Sequence, residues 1–178
     1  MRRLLVLSLL VLAIATSSGC TANPRPSDPS ASAASPSATP TVTAVDAAAY
    51  IPGGPIDAGP EFMTPSGAVC AIPGSGGVAD FRAACSVAEH SWSFSPCDPE
   101  APICPRFIVI DGTGAVAEGA NGGAVTSYEA GTPVQTLEVG SSLSYGGITC
   151  TSVADAVICE DDETGHGFRL SAAENTWF

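Results

Sequence analysis

The chain has 178 residues, with eighteen acidic against six basic side chains and a net charge of −12. That length accommodates one ordinary domain with appendages, and that charge repels phosphate backbones, which makes nucleic acid a poor partner. Nineteen glycines and fifteen prolines, with little sustained apolar periodicity after residue 20, favour short strands and many turns.

Met1-Arg2-Arg3 forms a positive start, and the apolar run from Leu4 to Ala15 has the length of a signal h-region. It is too short to cross a bilayer. Thr16-Ser17-Ser18-Gly19 then leads into Cys20. Small residues before a cysteine resemble the lipobox of bacterial lipoproteins, with Ser17 where leucine is usual. The resemblance implies a signal peptide over 1–19 and thioether lipidation of Cys20 after cleavage. It would hold the protein on the extracytoplasmic face of the cell membrane. Several acyl chains on one residue would satisfy the two-signal requirement for stable anchoring. The alternative is an ordinary cleaved signal that leaves Cys20 free. Lipidation accounts for the odd member of a set of seven cysteines.

Residues 20–44 are the lipidated cysteine and a linker of serine, alanine, proline and threonine with almost nothing to bury, so a disordered tether is expected. Prolines at 24, 26, 29, 36 and 40 stiffen it towards polyproline II. At roughly 3.1 Å per residue it reaches on the order of 70 Å from the anchor.

Residues 45–178 are assigned to the folded domain. Glu61-Phe62-Met63-Thr64 and Ala68-Val69-Cys70-Ala71-Ile72 flank the turn tripeptide Pro65-Ser66-Gly67, which reads as two β-type runs about a turn. Phe81 to Val87 is a further strand carrying Cys85, whose simplest partner is Cys70. The segment from His90 to Pro105 holds four prolines, so it is neither a central strand nor a helix. Cys97 and Cys104 can close this loop on themselves, and Trp92 and Phe94 alternate with serines and are expected to point together into the core. Phe107 to Ile110, the turn Asp111-Gly112, and Ala115 to Ala117 make the strongest hairpin signal. Gly119 to Gly123 reads as a loop and Val134 to Val139 as another strand. Every candidate helix is interrupted by glycine or proline.

Leu143 to Leu170 is the organising stretch. Cys150 and Cys159 lie symmetrically about Ala154-Asp155, so a tight hairpin sets them opposite one another at a separation a disulfide tolerates. Gly165-His166-Gly167 turns the chain into Phe168-Arg169-Leu170, and Trp177-Phe178 is apolar enough to dock on the sheet. Six cysteines behind an export signal read as a disulfide framework. The expected fold is all-β and mainly antiparallel, a small disulfide-stapled sandwich or barrel-like domain after a disordered N-terminal tether.

Phe62-x-Thr-Pro-Ser-Gly-x-Val-Cys70, Tyr145-Gly146-Gly147-x-x-Cys150, Cys159 and Gly165-His166-Gly167-Phe168-x-Leu170-Ser171 resemble a family of actinobacterial secreted and lipoprotein domains without an established activity. The resemblance spans about residues 60–175 and implies a small disulfide-bonded β domain. Ala68 stands where that family usually has asparagine. The family's cysteine near a Gly-Asp-Thr step has no counterpart other than Cys104, which leaves the partner of Cys97 open. The lack of any lysine fits a GC-rich source.

His90, His166 and the run Glu160-Asp161-Asp162-Glu163 are the evident ligand types. The chain lacks C-x-x-C, H-x-x-x-H and calcium-loop spacing, so neither a metal site nor a cofactor is expected. It also lacks G-x-S-x-G and a closely spaced reactive cysteine pair. The expectation is a membrane-anchored extracytoplasmic lipoprotein acting as a non-enzymatic binding or envelope-associated module for an envelope protein or glycan, with Trp92 and His166 as candidate binding residues. The alternatives are a hydrolase using His166 with Ser171 or an aspartate, and a structural surface protein.

Overall fold

A computed structural model describes residues 41–52, 59–74, 81–97, 100, 103–120 and 133–178, all within the unit Ala38–Phe178. The signal segment, Cys20, the tether as far as residue 40 and most of the expected Gly119–Gly123 loop lie outside the described residues.

In chain order the strands are β1 (Thr43–Val45), β2 (Glu61–Met63), β3 (Ala68–Ala71), β4 (Phe81–Val87), β5 (Phe107–Asp111) and β6 (Val116–Gly119). They continue with β7 (Gln135–Thr136), β8 (Ser141–Tyr145), β9 (Ile148–Ser152), β10 (Val157–Asp161), β11 (Gly167–Leu170) and β12 (Asn175–Trp177). One sheet has the order β1-β8-β9-β10-β11-β12 and the other β6-β5-β4-β3-β2-β7. The fold is all-β, as expected. Both sheets are mixed, because β1 joins β8 and β2 joins β7 in parallel.

Three boundaries differ from the sequence reading. Thr43 and Ala44, placed in the tether, belong to β1, where they pair with Ser141 and Ser142. Their β-branched neighbours fit a strand once an edge is available to pair with. The expected 134–139 strand shrinks to Gln135–Thr136; Leu137 adds one more hydrogen bond to Met63 at 2.8 Å and buries its side chain in the core. A single 3-10 turn, Ala47–Tyr50, follows β1 and is capped by the Asp46 side chain, which accepts from the Ala48 N–H at 3.0 Å. One such turn needs no amphipathic face, so the helix pattern could not reveal it.

The turns follow their residues. Gly146 and Gly147 have φ of +59° and +80°, the mirror-image conformation that matches strand twist in two-residue hairpins. In the Thr64-Pro65-Ser66-Gly67 turn, the Thr64 hydroxyl meets Ser66 Oγ at 2.8 Å and accepts from the Ala68 N–H at 3.2 Å.

One core lies between the two sheets. Phe62, Ile72, Ile108, Ile110 and Leu137 come from one side, and Leu143, Ile148, Val157, Phe168 and Leu170 from the other. Among them sit Cys70, Cys85, Cys150 and Cys159, each at most 1% exposed. Cys70 bonds Cys85 across β3–β4 and Cys150 bonds Cys159 across β9–β10. Each pair occupies directly opposed positions with a Cα separation of 4.1 Å, near that of a non-hydrogen-bonded antiparallel pair. Cys85 Sγ and Cys159 Sγ then touch across the two sheets at 3.8 Å. Both sulfurs are bonded and carry no hydrogen, so this is a van der Waals contact. The third bridge, Cys97–Cys104, joins two exposed residues of the proline-rich loop. Three disulfides in one small domain suggest an extracytoplasmic protein, because cytosolic thiol pools keep cysteines reduced.

Burial sets the order of reduction. A mild thiol reductant should open Cys97–Cys104 first, with little loss of structure. Cys150 and Cys159 should stay unreactive to alkylating reagent until the domain unfolds. Replacing that core pair with alanines should cost about 2.5 kcal/mol from loop entropy alone, measured by urea unfolding against the parent chain.

Candidate functional site

One end of the two sheets gathers polar side chains that strand alternation explains. In β10, Val157, Cys159 and Asp161 share the inward face, so Asp161 is 0% exposed while Glu160, Asp162 and Glu163 face solvent. Asp161 Oδ1 accepts the N–H groups of Glu163 at 2.9 Å and Thr164 at 3.1 Å. Its other oxygen receives Arg82 from the opposite sheet. Arg82 reaches across because β4 shifts register between Phe81 and Ala83. A bulge re-aims the extra residue. Arg82 also donates to the Gly146 carbonyl at 3.2 Å.

A second aspartate-led turn lies against the first. Asp111 Oδ1 accepts from the Thr113 hydroxyl at 2.6 Å, the Thr113 N–H at 2.7 Å and the Ala115 N–H at 3.1 Å. The Thr164 hydroxyl donates to the Gly114 carbonyl at 3.4 Å. Hydrogen bonds from the Thr113 hydroxyl and N–H lead in holding Asp111 below the ordinary carboxylate range. For Asp161, burial pushes the pKa up, but the Glu163 and Thr164 N–H groups and the Arg82 guanidinium outweigh it. The net direction is down from 3.8. Both aspartates are therefore charged and held by turn hydrogen bonds.

His166 is exposed on the β10–β11 turn. Its flanking glycines have separate structural causes. Gly165 has φ of +71°, where side chains are strained. A Cβ on Gly167 would meet the Cys159 carbonyl oxygen and stand 2.6 Å from the Phe178 ring. Gly167 and Phe178 exchange two backbone hydrogen bonds of 2.9 Å, and this brings Phe178 over the glycine beside His166. Trp177 and Phe178 are 47% and 53% exposed, so they are not docked inside the sheet. The terminal segment pairs as β12 and leaves both rings accessible at the edge.

Trp92 lies elsewhere. It is half-buried against the core, stacks on His90 at 3.9 Å between ring centroids, and meets Phe94 edge-on at 4.9 Å. Its indole N–H donates to the Ser171 carbonyl at 2.8 Å. Trp92 is thus a packing residue, and Trp92 and His166 form no common site. Ser171 and His166 stand at opposite ends of β11, five residues apart and roughly 17 Å along an extended strand. The Ser171 hydroxyl accepts the N–H groups of Ala173 at 3.1 Å and Glu174 at 3.0 Å, as the turn into β12 requires. No described carboxylate or hydroxyl donates to or accepts from the His166 ring.

The sulfurs of Cys70, Cys85 and Cys159 cluster within 4.8 Å, but all are consumed in disulfides and offer no thiolate to a metal. The sequence docks Trp177 and Phe178 on the sheet, and they do pair with β11 there, but about half of each ring residue stays exposed, which the sequence did not single out as a site. Arg82 was missed as well. Its signal was a lone charge in an otherwise apolar strand, as Asp161's was its spacing of two from Cys159. No protein-family model, curated protein or solved structure matches this chain.

The Asp161 contribution depends on pH with a defined sign. Its folded pKa lies below its unfolded one, so its stabilisation is full above about pH 4 and disappears as pH falls through the folded value. Asp161→Asn should flatten the stability curve below about pH 4. It should also cost about 1–3 kcal/mol at neutral pH, moderated because Arg82 keeps some contact with solvent. Acid and urea titrations of both forms would check this.

Proposed function

We propose that the protein is a membrane-anchored extracytoplasmic lipoprotein whose β domain serves as a non-enzymatic binding or envelope-associated module. The observation that carries this reading is the pair Trp177 and Phe178, about half exposed on an edge strand. A domain of this size that packs Phe62, Phe168 and Trp92 leaves two adjacent aromatics in water only at a cost that a partner can offset. The lipobox-like run into Cys20 supports attachment, and the three disulfides support an oxidising compartment. The partner class favoured is an envelope protein or glycan reached through the tether.

Hydrolysis by His166 gains no support from its surroundings. Among the described residues its ring has no hydrogen-bonded carboxylate or nucleophile, and Asp161 is engaged by Arg82 and turn N–H groups. Those are the relations that nucleophilic catalysis requires.

Two measurements test the proposal. The Cys20→Ser chain should leave the membrane fraction, and unchanged partitioning would refute the lipid anchor. The doubly substituted Trp177→Ala, Phe178→Ala chain should retain several-fold less cell-envelope material in a pull-down at unchanged thermal stability. Equal retention would remove the aromatic edge from the binding surface.

A further inference from the structure

Sheet edges expose unpaired backbone groups, and proteins normally cover or blunt them. Two of the four edges here meet a neighbouring segment. The 3-10 turn Ala47–Tyr50 lies against β7. Gln135 Nε2 donates to the Ala49 carbonyl at 2.8 Å, and the Tyr50 hydroxyl donates to the Thr136 carbonyl at 3.4 Å. On the opposite side, the segment 91–95 runs from the Ser171–Ala172 corner, where the Ser91 N–H donates at 2.8 Å, to β6. There the Glu118 carboxylate accepts the Ser95 N–H with both oxygens, at 3.0 and 3.1 Å. The fourth edge is β12, Asn175-Thr176-Trp177, which carries neither proline nor charge.

The ladder fixes which groups point outward. Gly167 and Phe178 form a hydrogen-bonded pair, as do Ser171 and Glu174 at the turn. Alternation along an antiparallel ladder makes Phe168↔Trp177 and Leu170↔Asn175 non-hydrogen-bonded pairs. The N–H and C=O groups of Asn175 and Trp177 are therefore directed away from β11. Among the described residues nothing hydrogen-bonds them. Beside the same end stand Glu160, Asp162 and Glu163, all exposed, while the described arginine ion pairs go to Asp161, Asp155 and Glu174.

We propose that β12 is a docking edge to which an extended cationic peptide segment adds as a further strand. This rests on the binding-module reading and names the partner's chemistry. Outward groups of Asn175 and Trp177 supply the ladder hydrogen bonds, and Trp177 and Phe178, on opposite faces of the strand, flank alternate partner side chains. The acidic turn attracts basic residues on the incoming strand. A net charge of −12 opposes pairing with a second copy of this chain and favours a basic partner.

The test uses the full chain with Cys20→Ser and two fluorescent peptides, one alternating lysine with valine and the other glutamate with valine. Anisotropy should show binding of the lysine peptide alone, weakened by added salt. Asn175→Pro removes an outward N–H without touching the β11 ladder or replacing either ring, and should reduce affinity at least about tenfold. A triple variant, Glu160→Gln, Asp162→Asn and Glu163→Gln, leaves β12 intact and should also weaken binding. Equal binding of both peptides, or binding indifferent to both variants, would overturn the proposal. So would a concentration-dependent dimer abolished by Asn175→Pro, which would assign the edge to self-pairing. If envelope material is retained equally with and without Asn175→Pro, strand addition fails and the binding reading stands. If the unmodified edge retains none, the binding reading fails with it.

Discussion

The contact between Cys85 Sγ and Cys159 Sγ, 3.8 Å across the middle of the core, is the constraint on which the rest of this fold depends. Each sulfur belongs to a cross-strand bridge within its own sheet, so the sheets are not covalently joined. Two opposed bridges occupy the space where larger domains place bulky side chains. Each also fixes the register of its strand pair, since a one-residue slip would put the two sulfurs on opposite faces of the sheet. Among the described residues the core around them holds two fully buried phenylalanines, with isoleucine, leucine, valine and alanine filling the remainder. A domain of this size gains limited stability from burial alone. The bridges compensate by restricting the unfolded chain.

Hydrophobic contact leaves the sheets free to slide, and the ends supply what the middle lacks. The register shift in β4 releases Arg82 from its own sheet to reach Asp161 in the other. The facing aspartate turns bring Thr164 to Gly114. A fully buried carboxylate would be costly without partners. Three donors on Asp161, two of them backbone N–H groups, make it a fixed point. At the opposite end, Trp92 anchors the proline-rich segment to the Ser171 carbonyl, and the same segment meets β6 through the Glu118 carboxylate. These polar links are directional where the sulfur contact is not, and together they define how one sheet lies on the other.

Local chemistry was legible in the sequence wherever one segment determined its own structure. The hairpin about Ala154-Asp155, the Asp111-Gly112 turn and the strand from Phe81 to Val87 all follow from residue pattern, and cysteine symmetry placed Cys150 opposite Cys159. What could not be read were features that depend on a distant partner. The parallel addition of β1 to β8 requires a segment nearly a hundred positions away. The burial of Asp161 is hidden in an acidic run that resembles a solvated loop, and only the alternation from Cys159 hints at it. Trp92 and Trp177 are equally apolar in composition. Only the packing of His90 and Phe94 around one, and the lack of a neighbouring strand beside the other, separates them.

That separation also bears on where activity can reside. His166 and Ser171 are tied to the two turns that bound β11, so changing their distance means rebuilding the strand between them. Asp161 gives one oxygen to turn N–H groups and the other to Arg82, and Asp111 Oδ1 is held by its own turn. The groups with unused hydrogen-bonding or apolar capacity are instead at the surface, on the backbone of β12 and on the rings of Trp177 and Phe178. With its buried aspartate held in this way, the fold leaves outward backbone groups on β12, where among the described residues nothing pairs with them and a further strand has room to add.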